Sequence, residues 1–223
     1  MKRYMMLLLA FLPMTASFRG KLYSVFCRNI EKGFRIGFGS MIDAKSIRIG
    51  KNVTIGNMVR IKYLDELRIG EESSIGSSTI VCGAYEQNKF ADRILSVGSH
   101  SNILCSHYFD VVAPIIIGDY VTIAGKWTQF YTHSFDLQVD RCDGSIRVVN
   151  HVYIGAGCLI NLGVQICDET VLQGGTCANH DIKEPGVYMS NTFIRRGSVR
   201  EYKELFVGCN SKQLSDGSFV YSK

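Results

Sequence analysis

The sequence contains few prolines and few tryptophans. Its 223 residues include 3 prolines and 1 tryptophan, against 8 cysteines. So little proline argues against rigid Pro-rich linkers. No Cys-x-x-Cys pair occurs, which excludes zinc-ribbon and thioredoxin-type spacings. We therefore expect the cysteines to be small apolar fillers in a reduced compartment.

Charge is also limited. The formal net charge is +5 and the sequence pI is about 8.7, which is not concentrated enough to indicate nucleic-acid binding. It suits an anionic small molecule or an anionic membrane surface. Hydrophobic residues make up 46%, as in ordinary globular proteins. The length allows a sizeable core in one domain.

The N-terminal segment, residues 1–35, has no apolar run long enough to span a bilayer. Residues 5–12 are apolar and follow Lys2 and Arg3. Three interpretations stay open: a short membrane-apposed helix with a basic flank, a helix that covers one end of the core, and a signal peptide cleaved near residues 15–17. We predict an apolar helical segment in peripheral contact with the membrane, and a cytoplasmic protein at its inner face.

What the sequence has is glycine, 22 residues, and an aliphatic residue that returns at every sixth position. A period of six is neither that of a helix nor that of a simple strand. Repeats this short belong to solenoids, in which three sixes form one triangular coil of about 18 residues. The sequence therefore predicts a parallel β-helix of roughly five to six coils. The clearest aliphatic positions are Ile117, Ile123, Ile154, Ile160, Ile166 and Leu172.

The sixes define the domain organisation. They begin at residue 36 and continue to residue 182, which we predict to be an all-β domain. Two interruptions, near residues 83–95 and 130–150, are predicted to be external loops because the period is lost there. Residues 183–223 are predicted to be a C-terminal extension.

Three stretches narrow the interpretation. They are DVVAPIIIGD at residues 110–119, HVYIGAGCLINLGV at 151–164 and VLQGGT at 171–176. Together they resemble the hexapeptide-repeat acyltransferases, most closely the sugar and polysaccharide O-acetyltransferases of the maltose and galactoside type. The resemblance implies a left-handed β-helix that works as a homotrimer with active sites between subunits. It also implies acetyl-CoA as co-substrate and a carbohydrate acceptor, in a cell-surface polysaccharide or its precursor.

The reaction implied by this resemblance needs a base. A sugar hydroxyl is too weak an acid to ionise at neutral pH, whereas a neutral imidazole can accept its proton. His133 matches the catalytic histidine of the family. Asp136 is a candidate to fix the imidazole tautomer, although a backbone carbonyl could serve instead. The N–H of Gly125 is a candidate donor to a developing oxyanion.

Acceptor binding is less well matched. In the galactoside-type enzymes an asparagine just before the D-V-A-P-I stretch holds the acceptor, and asparagine is absent here. Recognition is therefore predicted to differ or to move to Ser106, His107 or Asp110. Trp127 and Tyr131 could stack on a sugar face.

The predicted acetyl-CoA site follows the family's groove between coils. Small residues at Ala156 and Gly174 would let the pantetheine arm approach closely. Asn179 and His180 replace the family's Thr-Lys pair, which removes one fixed cation. Two arginines further on would bind the CoA phosphates. The predicted cofactor residues are Gly125, Ala156, Gly174, Asn179, His180, Arg195 and Arg196.

Other functions stay open. The same chemistry could acylate an amino sugar on nitrogen or modify an antibiotic hydroxyl. A covalent route through Cys105 is possible in principle. A zinc site of the γ-type carbonic anhydrases would need three converging histidines, but the histidines here do not show that spacing; we expect no metal. A non-catalytic binding solenoid is the remaining alternative.

Overall fold

The computed structural model describes residues 9–27, 29–84, 91–135 and 141–189, and the backbone of residues 210–213 and 219–222. The chain divides into two compact units, Met1–Ser190 and Asn191–Lys223. In the second unit, the described backbone is one antiparallel pair of strands.

The described elements with defined bounds are a helix and a long series of short strands, and residues 9–11 are also helical. Strands of two or three residues suit a coil that turns a corner every few residues. In chain order they are α1 Ala16–Phe26, β1 Arg35–Ile36, β2 Met41–Ile49, β3 Thr54–Ile55, β4 Arg60–Ile69, β5 Ser74–Ile75, β6 Ile80–Cys82, β7 Ile94–Val97, β8 Asn102–Ile103, β9 Tyr108–Asp110, β10 Ile115–Ile117, β11 Thr122–Ile123, β12 Gln129–Tyr131, β13 His133–Phe135, β14 Arg141–Asp143, β15 Ile146–Val148, β16 Tyr153–Ile154, β17 Leu159–Ile160, β18 Gln165–Ile166, β19 Thr170–Leu172, β20 Cys177–Ala178, β21 Gly186–Tyr188, β22 Asn210–Gln213 and β23 Phe219–Ser222.

Strands of successive coils pair in parallel and form three walls. The first wall has the order β1-β3-β5-β8-β11-β16-β19-β21. The second contains the first halves of β2 and β4, followed by β6, β9, β12, β17 and β20. The third contains the second halves of β2 and β4, followed by β7, β10, β15 and β18. This is the predicted parallel β-helix, and the prediction is confirmed.

The number of complete coils agrees with the prediction of roughly five to six. In the described chain, eight strands stack on the first wall, seven on the second and six on the third, so six coils have a strand on every wall. Strand β1 contains Ile36, where the sixes begin, and β21 lies beyond residue 182, where they end.

The aliphatic residues of the sixes form the core. Burying each such side chain contributes about 1.5–3 kcal/mol, and stacked coils repeat this at every level. The rings of Phe109 and Phe130 stack inside the second wall with centroids 4.7 Å apart. All six aliphatic positions named from the sequence are at most 2% exposed: Ile117, Ile123, Ile154, Ile160, Ile166 and Leu172.

Helix α1 covers the first coil. Thr15 caps its N-terminus by accepting the N–H of Phe18. Arg19 is 1% exposed and donates hydrogen bonds to backbone carbonyls of the N-terminal segment and of Ile36. A buried guanidinium is tolerated because its donors are used. Among the described residues, no helix has the length and apolar character needed to cross a bilayer.

Two excursions leave the coils. After β6, the chain returns through Arg93, whose guanidinium binds both carboxylate oxygens of Asp65. After β12, strands β13 and β14 form an antiparallel hairpin outside the second wall. The second excursion positions His133.

Candidate active site

His133 begins the hairpin directly after β12. Its neighbour Thr132 is buried, so the chain turns outward between the two residues. In the hairpin, His133 pairs with Asp143, which in turn binds Arg141 at 2.7 Å. The imidazole side chain is 29% exposed. It is therefore held on its backbone side and open to a ligand.

Asp110 is the partner of this imidazole. Its Oδ2 lies 2.6 Å from Nδ1 of His133, and the carboxylate side chain is 8% exposed. Asp110 comes from the preceding coil, where it pairs with Tyr131 across β9 and β12. With Nδ1–H donated to the carboxylate, Nε2 is the nitrogen that can accept a proton. We assign this tautomer from the hydrogen bond.

Asp136, which we predicted as the orienting residue, lies outside the described residues. Asp110, which we predicted to bind the acceptor, occupies the orienting position instead. The prediction failed to pair these two residues because they are 23 positions apart in sequence. Only the stacking of coils brings them together.

Thr132 fixes both ends of this pair. Its N–H donates to Oδ2 of Asp110, and its hydroxyl donates to the Asp110 carbonyl at 2.7 Å. The same hydroxyl accepts the N–H groups of Val112 and Ala113. Thr132 is fully buried, so each of these bonds is shielded from water. No sequence pattern predicted this role, because a buried threonine is an ordinary core residue.

Aromatic rings surround the pair. Phe135 meets the imidazole edge-on, at 5.7 Å between centroids, and is itself exposed. Tyr108 and Tyr131 contact each other on the outer face of the second wall. Burial raises the pKa of Tyr108, and the charge of Asp110 raises it further. Tyr108 therefore stays neutral, and the two rings offer a partly apolar surface beside His133.

His107 points the other way. It precedes β9 and is 2% exposed inside the β-helix. Its Nδ1 accepts the N–H of Thr128 at 3.2 Å, while its Nε2 completes no hydrogen bond with the described residues. Burial lowers its pKa to about 4, although contacts to the backbone of Thr128 and Ile123 act in the opposite direction. The structure does not bring His107 to the surface that contains His133.

The other residues predicted to bind the acceptor lie on the outer surface. Tyr131 is half-buried and donates its hydroxyl hydrogen to Gln129. Trp127 is 67% exposed at the start of the second wall. Trp127 and His133 lie beyond opposite ends of β12, with five residues between them. Gly125 lies on the same distant side, so a single chain does not place its N–H next to His133.

The corner between the first and second walls, which we call the ridge, changes character along the β-helix. Every ridge residue has a left-handed backbone, with φ between 57° and 77°. From β4 to β12 the ridge carries side chains, whereas in the first coil and in the C-terminal coils it carries glycine. In order, the ridge residues are Gly39, Met58, Ser78, Ser106, Trp127, Gly157 and Gly175.

Two predicted cofactor residues lie beside the glycine part of the ridge, and a third, Gly125, lies one coil earlier. A Cβ at Gly157 or Gly175 would meet no atom within 4 Å, so this surface is open. Ala156 and Gly174 lie beside it, with the Ala156 carbonyl bound to the N–H of Gly175. A Cβ at Gly125 would collide with Ala156. A bare strip of backbone of this kind fits the thin pantetheine arm of coenzyme A.

The remaining predicted cofactor residues are less well placed. Asn179 follows β20 and accepts a hydrogen bond from the side chain of Asn161 one coil below. His180 is exposed beside it. Arg195 and Arg196 lie outside the described residues. In the part of the chain that the structure describes, no three metal-ligand side chains cluster.

The fold of this chain is similar to that of a solved acetyltransferase structure, although no protein-family model matches the sequence. The crystal structure of the polysialic acid O-acetyltransferase OatWY superposes with a TM-score of 0.54 and 16% identity, over 79% of this chain and 92% of that one. The chain has the left-handed β-helix fold of the hexapeptide-repeat acyltransferases. The predicted handedness is thereby confirmed.

Two curated proteins are similar to this chain in sequence. The UDP-3-O-acylglucosamine N-acyltransferase of Hahella chejuensis is 24% identical over 184 residues, 79% of this chain and 46% of its own length. The bifunctional protein GlmU of Wolbachia pipientis wMel is 30% identical over 99 residues, 43% of this chain and 20% of its own length. The hexapeptide-repeat chain therefore spans less than half of either relative.

Proposed function

We propose that the protein is an acetyl-CoA-dependent O-acetyltransferase that acts on a hydroxyl of a sugar in a cell-surface polysaccharide or its precursor. The observation that carries the proposal is the bond of 2.6 Å between Nδ1 of His133 and Asp110, on a partly exposed imidazole. A base of this kind contributes typically about 10²–10⁴-fold to rate. The site thus has the group that hydroxyl acylation requires.

The residues of this chain have distinct roles. Nε2 of His133 accepts the proton of the acceptor hydroxyl as the oxygen attacks, and later returns that proton to the leaving thiolate. Asp110 holds the tautomer and stabilises the imidazolium between these steps. Thr132 keeps the two side chains at bonding distance. Acetyl-CoA, when bound, supplies the thioester carbonyl that is attacked.

The donor is proposed to lie along the C-terminal part of the ridge. Gly157 and Gly175 leave that surface bare, and Ala156 and Gly174 border it. The acyl group would then reach His133 across the outer face of the second wall. This arrangement leaves the N-terminal coils for the acceptor.

We extend the proposal to assembly and location: a homotrimer in the cytoplasm, in contact with the inner face of the membrane. The outer face of α1 exposes Phe18 and Val25 beside Lys21, which suits an anionic lipid surface. Sedimentation equilibrium tests the trimer. Flotation with phosphatidylglycerol vesicles tests the contact, and protein that stays wholly at the bottom of the gradient would contradict it.

The reaction is tested by incubating the protein with acetyl-CoA and a panel of sugars and oligosaccharides. Release of the free CoA thiol gives the rate, and mass spectrometry with NMR locates the acetyl group. We expect an O-acetyl ester and a rate that depends on His133. Failure of every acceptor to take up acetyl would contradict the proposal.

A second candidate is N-acylation of an amino sugar. It is favoured by one observation, the similarity to an enzyme named UDP-3-O-acylglucosamine N-acyltransferase. An amine is a better nucleophile than a hydroxyl once deprotonated, so the same base would serve. Base-stable acetyl incorporation into glucosamine, without ester product on neutral hexoses, would favour this candidate.

A further inference from the structure

Two cations on β4 have no ion-pair partner among the described residues. Arg60 and Lys62 point outward from the second wall, since Ile61 between them is buried. The other cations of this region are engaged. Arg48 and Arg68 bind Glu66, and Lys45 and Arg93 bind Asp65.

These cations stand in register with the candidate active site. Lys62 pairs with Cys82, which pairs with Asp110. Arg60 is aligned in the same way, through Ile80, with Tyr108. Adjacent strands are about 4.8 Å apart, so the backbone of Lys62 lies roughly 10 Å from that of Asp110. One sugar ring fits in that interval.

The charges act on the space between them. Burial raises the pKa of the Cys82 thiol, the Asp110 carboxylate raises it further, and Lys62 and Arg60 lower it. Cys82 therefore feels the anion from one side and the cations from the other. Asp43 lies opposite Lys62 and Tyr63 on β2, so two cations stand beside one anion. The cationic excess faces the N-terminal approach to His133.

This approach is the side left for the acceptor. The bare part of the ridge lies in the C-terminal coils, where it suits the acyl donor. A hydroxyl attacking the donor's carbonyl must then reach His133 from the N-terminal coils. On that side the outward residues are Tyr108, Ile80, Cys82 and the two cations.

We propose that Arg60 and Lys62 bind an anionic group of the acceptor, a carboxylate or a phosphate, one sugar ring away from the hydroxyl that is acetylated. The acceptor is then an acidic sugar or a sugar joined to phosphate. This inference rests on the proposed function. A guanidinium and an ammonium side by side match either anion, because both anions present two or more oxygens.

The test compares glucose, glucuronic acid and glucose 1-phosphate as acceptors and as ligands. Three proteins are used: the unmodified chain, the double variant Arg60→Gln/Lys62→Gln, and the control Arg147→Gln. Arg147 is an exposed cation on the third wall, away from the site. Thiol release gives kcat and KM, and isothermal titration calorimetry gives Kd.

We expect the unmodified protein to prefer an anionic sugar over glucose by about tenfold or more in kcat/KM, with weaker preference at high salt. The double variant should lose this preference through KM, with kcat unchanged, and the control should keep it. The response to the carboxylate and to the phosphate then identifies which anion is bound.

Two results would overturn the inference: equal use of glucose and both anionic sugars by the unmodified protein, or an undiminished preference in the double variant. The calorimetry separates this inference from the proposed function. Anion binding that depends on Arg60 and Lys62, without acetyl transfer to any sugar, would support the anion site and contradict the acetyltransferase.

Discussion

The N-terminal and C-terminal halves of the ridge have the same backbone but different surfaces. Met58 and Ser78 in the N-terminal half have φ of 57° and 61°, and Gly157 and Gly175 in the C-terminal half have 65° and 77°. Left-handed backbone alone does not require glycine, since the first pair adopts it. A Cβ at either glycine would meet nothing within 4 Å, so crowding among the described residues does not require them either, and their effect is to leave the backbone bare.

This difference gives the molecule a direction. C-terminal coils offer a bare strip suited to a thin ligand, and N-terminal coils offer charge and aromatic rings. His133 and Asp110 lie at the junction, on adjacent coils. A transferase needs this order of parts, because donor and acceptor must reach one base from different sides.

The largest effect is expected at the junction. In Asp110→Asn, the amide would donate to Nδ1 of His133, which moves the ring proton to Nε2 and blocks proton acceptance there. We expect kcat to fall on the order of 10²–10⁴-fold with little change in the KM for acetyl-CoA. Asp119→Asn, at a corner away from His133, is the matched control. Steady-state kinetics measure kcat and KM of both variants, and circular dichroism checks that both are folded. Near-normal turnover in Asp110→Asn would show that Asp110 does not take part in the reaction.

His107 lies inside the second wall, whereas His133 lies outside it, and burial lowers the pKa of His107. Its folded-state pKa of about 4 lies below the unfolded value near 6.5. The unfolded chain therefore binds a proton that the folded chain refuses between these values, so stability falls as pH is lowered from 6.5 to 4. The loss is on the order of 3 kcal/mol and levels off below pH 4.

Urea unfolding of the unmodified protein and of His107→Asn across this range measures the effect. The difference between the two curves isolates His107 from the carboxylates that both proteins share. Curves that run parallel from pH 7 to pH 4 would show that His107 is not the buried neutral base described above.

Substitutions at Thr132 test whether buried hydrogen bonds position Asp110 and His133. Thr132→Val leaves the N–H groups of Val112 and Ala113 without their acceptor, at a cost of roughly 2 kcal/mol in the free energy of unfolding. Because Asp110 is then free to shift, kcat should fall about tenfold. Thr132→Ser should restore both. If Val and Ser variants are equally active, the hydroxyl does not position the pair.

The smallest effect tests the two halves of the ridge directly. Gly157→Asn places a side chain in the open strip, and asparagine tolerates the left-handed backbone there. We expect the KM for acetyl-CoA to rise about fivefold to tenfold with kcat nearly unchanged, since about 1 kcal/mol of donor binding is lost. Ser78→Asn places the same side chain in the N-terminal half and should leave the KM for acetyl-CoA unchanged. Equal effects of the two variants would mean that the halves do not differ in function.

Much of this fold could be predicted from sequence because each six contains one aliphatic residue that points into the core. Ile154 and Ile160 repeat the same inward position, so each six predicts its own burial. The sixes did not predict β21, since this strand lies beyond residue 182 and joins the first wall through backbone pairing with β19.

The site was harder to predict. His133 could be found because the chain leaves its period there. Its partnership with Asp110 depends on which coil stacks on which, and the hydrogen bonds of Thr132 depend on a turn that forms only in the folded chain. His107 was predicted to bind the acceptor, but its inward direction buries it. The two histidines differ in the face of the wall on which the side chain lies, and residue type alone does not predict that face.

The central claim is that His133 is the base of an acetyl transfer. Its most direct test is kcat for acetyl transfer from acetyl-CoA by His133→Ala, beside His107→Asn as the matched histidine variant. We predict a loss of about 10²–10⁴-fold for the first, with unchanged KM for acetyl-CoA, and a loss of less than about tenfold for the second. Turnover of His133→Ala at the level of the unmodified protein would contradict the account.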